Sequence, residues 1–255
     1  MKKTAPVCFA LLAVLAVVQM PAQQSLQQTD FEWHGRVARG SLVEIRGING
    51  NVRAEPSASG EVEVVAKADG QEEAPVSSVQ VRLMEHDGGV TICTVFPGEQ
   101  VCRPIGDSGP GARVNFVVRV PEGVHFFGST VNGGVQADSL QSDVQAYTVN
   151  GEVTVSTTGT VKAKTVNGSI NASLLKPFWS KPPELSTVNG GIRLVLPSSA
   201  NTALEAATKN GKIVTDFAPL GKVTDQEVVG RIGGGGGSPL VIRTINGTIE
   251  LKRGF

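Results

Sequence analysis

The sequence predicts an all-β protein wound as a single-chain β-helix or solenoid-like stack of short repeats, each of 17–22 residues. Three observations carry that expectation. The phrase Thr-Val-Asn-Gly occurs at 130–133, 148–151, 165–168 and 187–190, with the variants Thr-Lys-Asn-Gly at 208–211 and Thr-Ile-Asn-Gly at 244–247 and an early relative, Gly-Ile-Asn-Gly, at 47–50. After each of the Thr-led copies comes one variable residue and then a β-branched one (Val135, Val153, Ile170, Ile192, Ile213 and Ile249), and apolar residues alternate from there. A period of two marks strands with one buried face. The composition, with 31 Gly and 14 Pro against few aromatics and Met, suits a chain of many tight turns.

Each Asn-Gly is expected to be a corner, because both residues tolerate positive φ. The corners are Asn49-Gly50, Asn132-Gly133, Asn150-Gly151, Asn167-Gly168, Asn189-Gly190, Asn210-Gly211 and Asn246-Gly247, and the repeat threonines are Thr130, Thr148, Thr165, Thr187, Thr208 and Thr244. From Asn132 onward the gaps are 18, 17, 22, 21 and 36, and the last reads as two steps with a degraded corner at Glu227–Ile232. In a coil, equivalent residues would stack at the ~4.8 Å strand spacing as ladders of hydroxyls and amides. In the alternative, each Asn-Gly is a two-residue hairpin turn and the chain is an antiparallel β-sandwich of hairpins. Both put the repeat Thr and the Val or Ile after Gly on one face; repetition of a whole corner, down to its Thr, favours the coil.

Taken in order, residues 1–22 read as a signal peptide: Lys2 and Lys3, an apolar run from Pro6 to Val18, and a small-residue site at Pro21-Ala22. The run is shorter than the ~20 residues that span a bilayer, so no membrane span is expected in the mature chain. Residues 23–30 are polar and Gln-rich, a disordered leader. Residues 31–125 form an N-terminal β region in which Asn49, Asp69 and Asp87 are spaced as weaker repeats, and residues 126–255 the regular repeat region, continuous with it as one domain. Removal of the signal segment takes Cys8 with it and leaves Cys93 and Cys102, which in an exported chain most simply form one disulfide across Phe96-Pro97-Gly98. One repeat is lengthened by the insertion from Lys176 to Pro183, and five glycines, Gly233 to Gly237, form a loop without the Lys-Ser/Thr pair of a phosphate cradle.

Little in the chain points to catalysis. Gly106-Asp107-Ser108-Gly109-Pro110 is similar to the nucleophile segment of trypsin-like proteases, but His34 and His86 lack that family's setting and a Gly/Pro loop accounts for the letters. Asp138 and Asp143 would serve a polysaccharide-cleaving enzyme only as a fixed pair, and no pair recurs from repeat to repeat. The three histidines fall singly, so no metal and no cofactor are expected. With 23 basic and 23 acidic residues there is no polybasic face for nucleic acid. Phe178 and Trp179, on a loop bracketed by Pro177 and Pro182, are the candidate binding loop for an envelope protein or glycan; the alternative is that the rings fold back over the edge of the stack. The terminal Phe255 resembles the end of outer-membrane barrels, but Arg253 occupies the alternate position that would face lipid.

From Phe31 to the C-terminus the chain resembles the bacterial "putative adhesin" family of exported β-strand-repeat proteins. The segments concerned are Phe31 to Val37, Val114 to Val124, the Thr-Val-Asn-Gly series and Gly234 to Leu251. The resemblance implies a β-helical or solenoid-like envelope protein linked to adhesion and, in some members, to envelope stress. It supplies no catalytic residues, and an envelope-stress sensor or a self-assembling stack stays open beside the adhesin reading.

Overall fold

The computed structural model describes residues 30–69, 76–102, 112–179 and 181–254. The signal segment, the leader up to residue 29, the Gly106 to Pro110 segment and Phe255 lie outside them. In chain order the described strands begin with β1 (Asp30–Gly35), β2 (Leu42–Arg46), β3 (Val52–Pro56), β4 (Val62–Asp69), β5 (Gln80–His86), β6 (Gly89–Val95) and β7 (Arg113–Val120). The repeats supply β8 (His125–Asn132), β9 (Val135–Leu140), β10 (Val144–Asn150), β11 (Val153–Thr157), β12 (Val161–Lys164), β13 (Ile170–Leu174), β14 (Glu184–Asn189) and β15 (Ile192–Leu196). The chain ends with β16 (Thr202–Asn210), β17 (Ile213–Thr215), β18 (Leu220–Val223), β19 (Glu227–Ile232), β20 (Leu240–Asn246) and β21 (Ile249–Arg253).

These strands make two large sheets, and the expected single-chain β-helix does not form. One sheet has 10 strands in the order β1-β4-β7-β3-β9-β11-β13-β15-β21-β17, the other 11 in the order β18-β19-β16-β20-β14-β12-β10-β8-β2-β6-β5. Their inner faces bury one layer of small and branched side chains, among them Val135, Ala137, Val153, Val155, Ile170, Leu194 and Leu251 from the first sheet and Val43, Phe126, Val144, Ala146, Leu185 and Ile242 from the second. The architecture is a β-sandwich of mixed pairing. Pairing is parallel along β7 to β17 of one sheet and β16 to β6 of the other, and antiparallel where β1, β4, β5, β18 and β19 close the ends.

Two features overturn the solenoid. A stacked-repeat fold needs each unit to rest only on its neighbours in sequence, whereas here β20 and β21 are inserted between β14–β15 and β16–β17. The long gap between Asn210 and Asn246 is therefore no pair of repeats. Glu227–Ile232, taken from sequence as a degraded corner, is the antiparallel strand β19 laid along β16. The hairpin alternative fails as well, because an Asn-Gly corner carries the chain from one sheet to the other, as from β8 to β9, instead of joining neighbours in one sheet. Of the weaker repeats, Asp69 ends a strand antiparallel to β7, and Asp87 lies in the tight β5–β6 hairpin.

Cys93, on β6, and Cys102 form a disulfide with Cα atoms 5.7 Å apart. It ties the end of β6 to the connection that leads into β7 in the opposite sheet.

Candidate functional site

The side-chain groups of the repeat motif, its Thr hydroxyls and Asn amides, are engaged in holding the fold. Parallel register puts Asn132 beside Asn150 and Thr130 beside Thr148, and the same holds up the series to Thr244 beside Thr208. In spatial order the corner asparagines run 49, 132, 150, 167, 189, 246, 210. Each side-chain amide donates to the amide oxygen of the level before it, over 2.7–2.9 Å. Each threonine points inward, and its hydroxyl donates to a glycine carbonyl one level away: Thr130 to Gly50, Thr148 to Gly133, Thr165 to Gly151, Thr187 to Gly168, Thr244 to Gly190 and Thr208 to Gly247, at 2.8–3.0 Å. Buried hydroxyls and carbonyls that would otherwise be orphaned satisfy one another.

The glycines have a different reason from the one expected. Positive φ occurs at Gly50 and Gly133, but the other corners do not need it, and no corner asparagine adopts it. What excludes a side chain is the next level: a Cβ on Gly168 would stand 1.8 Å from the Gly151 oxygen, and one on Gly190 2.0 Å from the Gly168 oxygen. Between Thr and Asn, Val149, Val166, Val188 and Ile245 are partly or fully exposed and follow one another along the 11-stranded sheet, whereas Val131 is buried.

The opposite edge, where strands of the first sheet return to the second, carries the variable loops. The insertion between β13 and β14 separates the two aromatics singled out from sequence. Phe178 is 64% exposed, whereas Trp179 is 5% exposed and belongs to the core, its indole N–H without a partner among the described residues. The loop is held from several sides. The Pro177 carbonyl accepts from Asn201 N at 3.0 Å, and the Pro183 carbonyl from Val241 N at 2.9 Å. Asn201 in turn accepts from Gly236 N at 2.7 Å, so the glycine run lies beside the insertion. The left-handed φ of Gly233, Gly235 and Gly237 lets that run turn back on itself before β20.

Lys181 reaches from the insertion to Asp143 at 2.9 Å, and Asp143 also accepts from Thr160 N at 2.9 Å. Partial burial pushes the Asp143 carboxyl up, but the Thr160 N–H, Lys181 and the charge of His125 outweigh it and hold the group below its ordinary value. Asp138, the other carboxylate considered from sequence, lies on β9 and meets Gln136 and Arg53. The two acids are committed to different partners and make no acid–base pair. Among the described residues no group of three or more His, Cys, Asp or Glu could hold a metal ion, and no helix is long and apolar enough to cross a membrane.

No family model matches the chain, and no curated protein matches it by sequence. Among solved structures, the fold is similar to that of a putative cell adhesion protein from Clostridium sporogenes, with a TM-score of 0.52 at 10% identity over 88% of this chain and 100% of that one. Looser matches are putative adhesins from Bacteroides fragilis (TM-score 0.33, 12% identity, 88% and 97% covered) and Parabacteroides merdae (0.28, 12%, 89% and 98%). The first likeness establishes a shared all-β architecture and nothing about ligands.

Proposed function

We propose that the chain is a non-enzymatic, exported envelope protein whose two-sheet body holds surface loops in place for binding a partner protein or glycan. The observation that carries this reading is the division of labour between the two edges. At the corner edge, the threonine hydroxyls and asparagine amides are consumed in level-to-level bonds. At the loop edge, an exposed aromatic is presented on a segment fixed by Asn201 and flanked by prolines. Proline limits the conformations that binding must freeze out, and an exposed ring on a pre-ordered loop is a typical anchor. The apolar leader with its two lysines supports export.

The test is capture of binding partners from envelope extract, together with a glycan panel, by the wild type and by Phe178→Ala. The variant is expected to melt like the wild type and to lose capture. Undiminished capture would remove this loop from the account, and turnover of a glycan abolished by a single carboxylate substitution would replace it with an enzyme.

Self-assembly is the second reading, favoured by the edge strand β18, where Leu220 and Val223 are both exposed and the outer backbone has no neighbour among the described strands. Sedimentation velocity over a concentration series separates the two. Concentration-dependent growth that Leu220→Lys abolishes would favour assembly, and a monomer throughout would favour presentation.

A further inference from the structure

At the end of the sandwich formed by the edge strands β1 and β5 there is an open groove of about 270 Å³. Its apolar lining includes Trp33, Val37 and Val90, and its polar rim Arg36, Glu85, His86 and Asp87. The sequence explains how these meet. Trp33 stands on β1, and its ring lies back over Gly35, where a Cβ would be 2.7 Å from the indole. Glu85 pairs with buried Val90 in the β5–β6 ladder, so it stands on the core-facing side of the edge strand, two residues on from Leu83 opposite Ile92. The tight turn at Asp87 brings a second carboxylate to the same rim.

The charges in and around the groove are unequally committed. Arg36 is paired with Glu61 at 3.0 Å. His86 is engaged with the Thr91 hydroxyl at 3.1 Å, which itself donates to Glu44 at 2.9 Å. Glu85 and Asp87 make no hydrogen bond or ion pair among the described residues. A tryptophan and two uncommitted carboxylates lining one groove are the side-chain types that attract a cation, through the ring quadrupole and through charge. The volume falls below the roughly 300–1,000 Å³ of pockets for drug-sized ligands, which limits the occupant to a head group on a short stem.

We propose that this groove binds an alkylammonium or guanidinium group, carried either by a lysine or arginine side chain of a partner or by a free small amine. The proposal does not depend on the Phe178 loop, so each can fail alone. An inward charge on an edge strand also discourages edge-to-edge pairing, but that role requires neither the tryptophan nor the cavity.

The experiment follows tryptophan emission of the full chain, whose two tryptophans are Trp33 and the buried Trp179. Butylammonium, butylguanidinium, Nα-acetyl-lysine methylamide with its ε-ammonium free, and the uncharged isostere butanol are titrated in turn. The cations are expected to give a saturable change that Trp33→Phe removes and that Glu85→Gln and Asp87→Asn each weaken about tenfold, the size of one lost charge-assisted contact. Butanol is expected to give none. Tighter binding of the lysine derivative than of butylammonium identifies a polypeptide source, and equal binding a free amine. Equal response to butanol and to the cations, or no saturable response, would overturn the proposal. So would Glu85→Gln producing oligomers while leaving cation binding intact, which would make Glu85 an edge guard only.

Discussion

At each corner, three side-chain choices answer three local demands. Glycine is required because the carbonyl of the next level occupies the place of its Cβ. Gly168→Ala should therefore cost about 2–3 kcal/mol, the upper part of the ~1–3 kcal/mol range for overpacking a filled site, measured by urea unfolding. Gly40 and Gly60 offer the comparison: both have left-handed φ with open space around them, so Ala there should cost only the ~1 kcal/mol of backbone strain. If Gly168→Ala were as mild as Gly60→Ala, the close approach would be wrong. Threonine is required for its hydroxyl. Thr187→Val keeps the shape but leaves the Gly168 carbonyl without that donor, and should cost about 1–2 kcal/mol, whereas Thr187→Ser should retain the bond and lose only the methyl contact. Equal losses in the two variants would show that the hydroxyl bond contributes nothing.

At the scale of elements, the insertion between β13 and β14 is tethered through Lys181 and Asp143. The Asp143 carboxyl titrates below its ordinary value in the fold. Its contribution is therefore complete above the unfolded pKa of about 3.9 and disappears as pH falls through the lower native value. The stability difference between the wild type and Asp143→Asn should be about 1 kcal/mol at neutral pH and shrink below about pH 4. A difference that stays constant into acid would contradict the assignment. The disulfide acts on another connection. Closing so short a loop, with a sequence separation of 9, restricts the unfolded chain by about 3 kcal/mol at most. Reduction should lower the melting temperature with both sheets retained.

At the scale of the whole molecule, strand positions were legible in the sequence and their arrangement was not. The alternation that marks β10, β11, β13 and β15 follows from a buried inner face, and it is the same in a coil and in a sandwich. Pairing order is set by contacts between distant segments, and nothing in residues 213–246 announces that the chain departs for the β18–β19 hairpin and then returns between the levels of Asn189 and Asn210. The 36-residue gap reads as missing repeats because an antiparallel strand such as β19 has the same period as a parallel one. The aromatic pair was half legible. Phe178 and Trp179 lie in a loop outside the strands, where no alternation fixes which ring is buried, and the sequence did not say which. The groove beside Trp33 was missed because its residues come from separate stretches, and its one available signal was a charged residue, Glu85, in phase with Val81 and Leu83.

The order of the corner column, in which the last repeat lies between two earlier ones, is what separates this fold from a solenoid. Asn189 and Asn246 occupy adjacent levels, within the ~4.4–6.8 Å Cα separation that a disulfide requires, whereas Asn189 and Asn210 are two strand spacings, roughly 9–10 Å, apart. The measurement is oxidative cross-linking of two double variants, Asn189→Cys with Asn246→Cys and Asn189→Cys with Asn210→Cys, mapped by peptide mass spectrometry. The account predicts a 189–246 bond in the first and no 189–210 bond in the second. Efficient cross-linking of 189 to 210, with none between 189 and 246, would mean that the repeats stack in the order of the sequence and that the architecture described above is wrong.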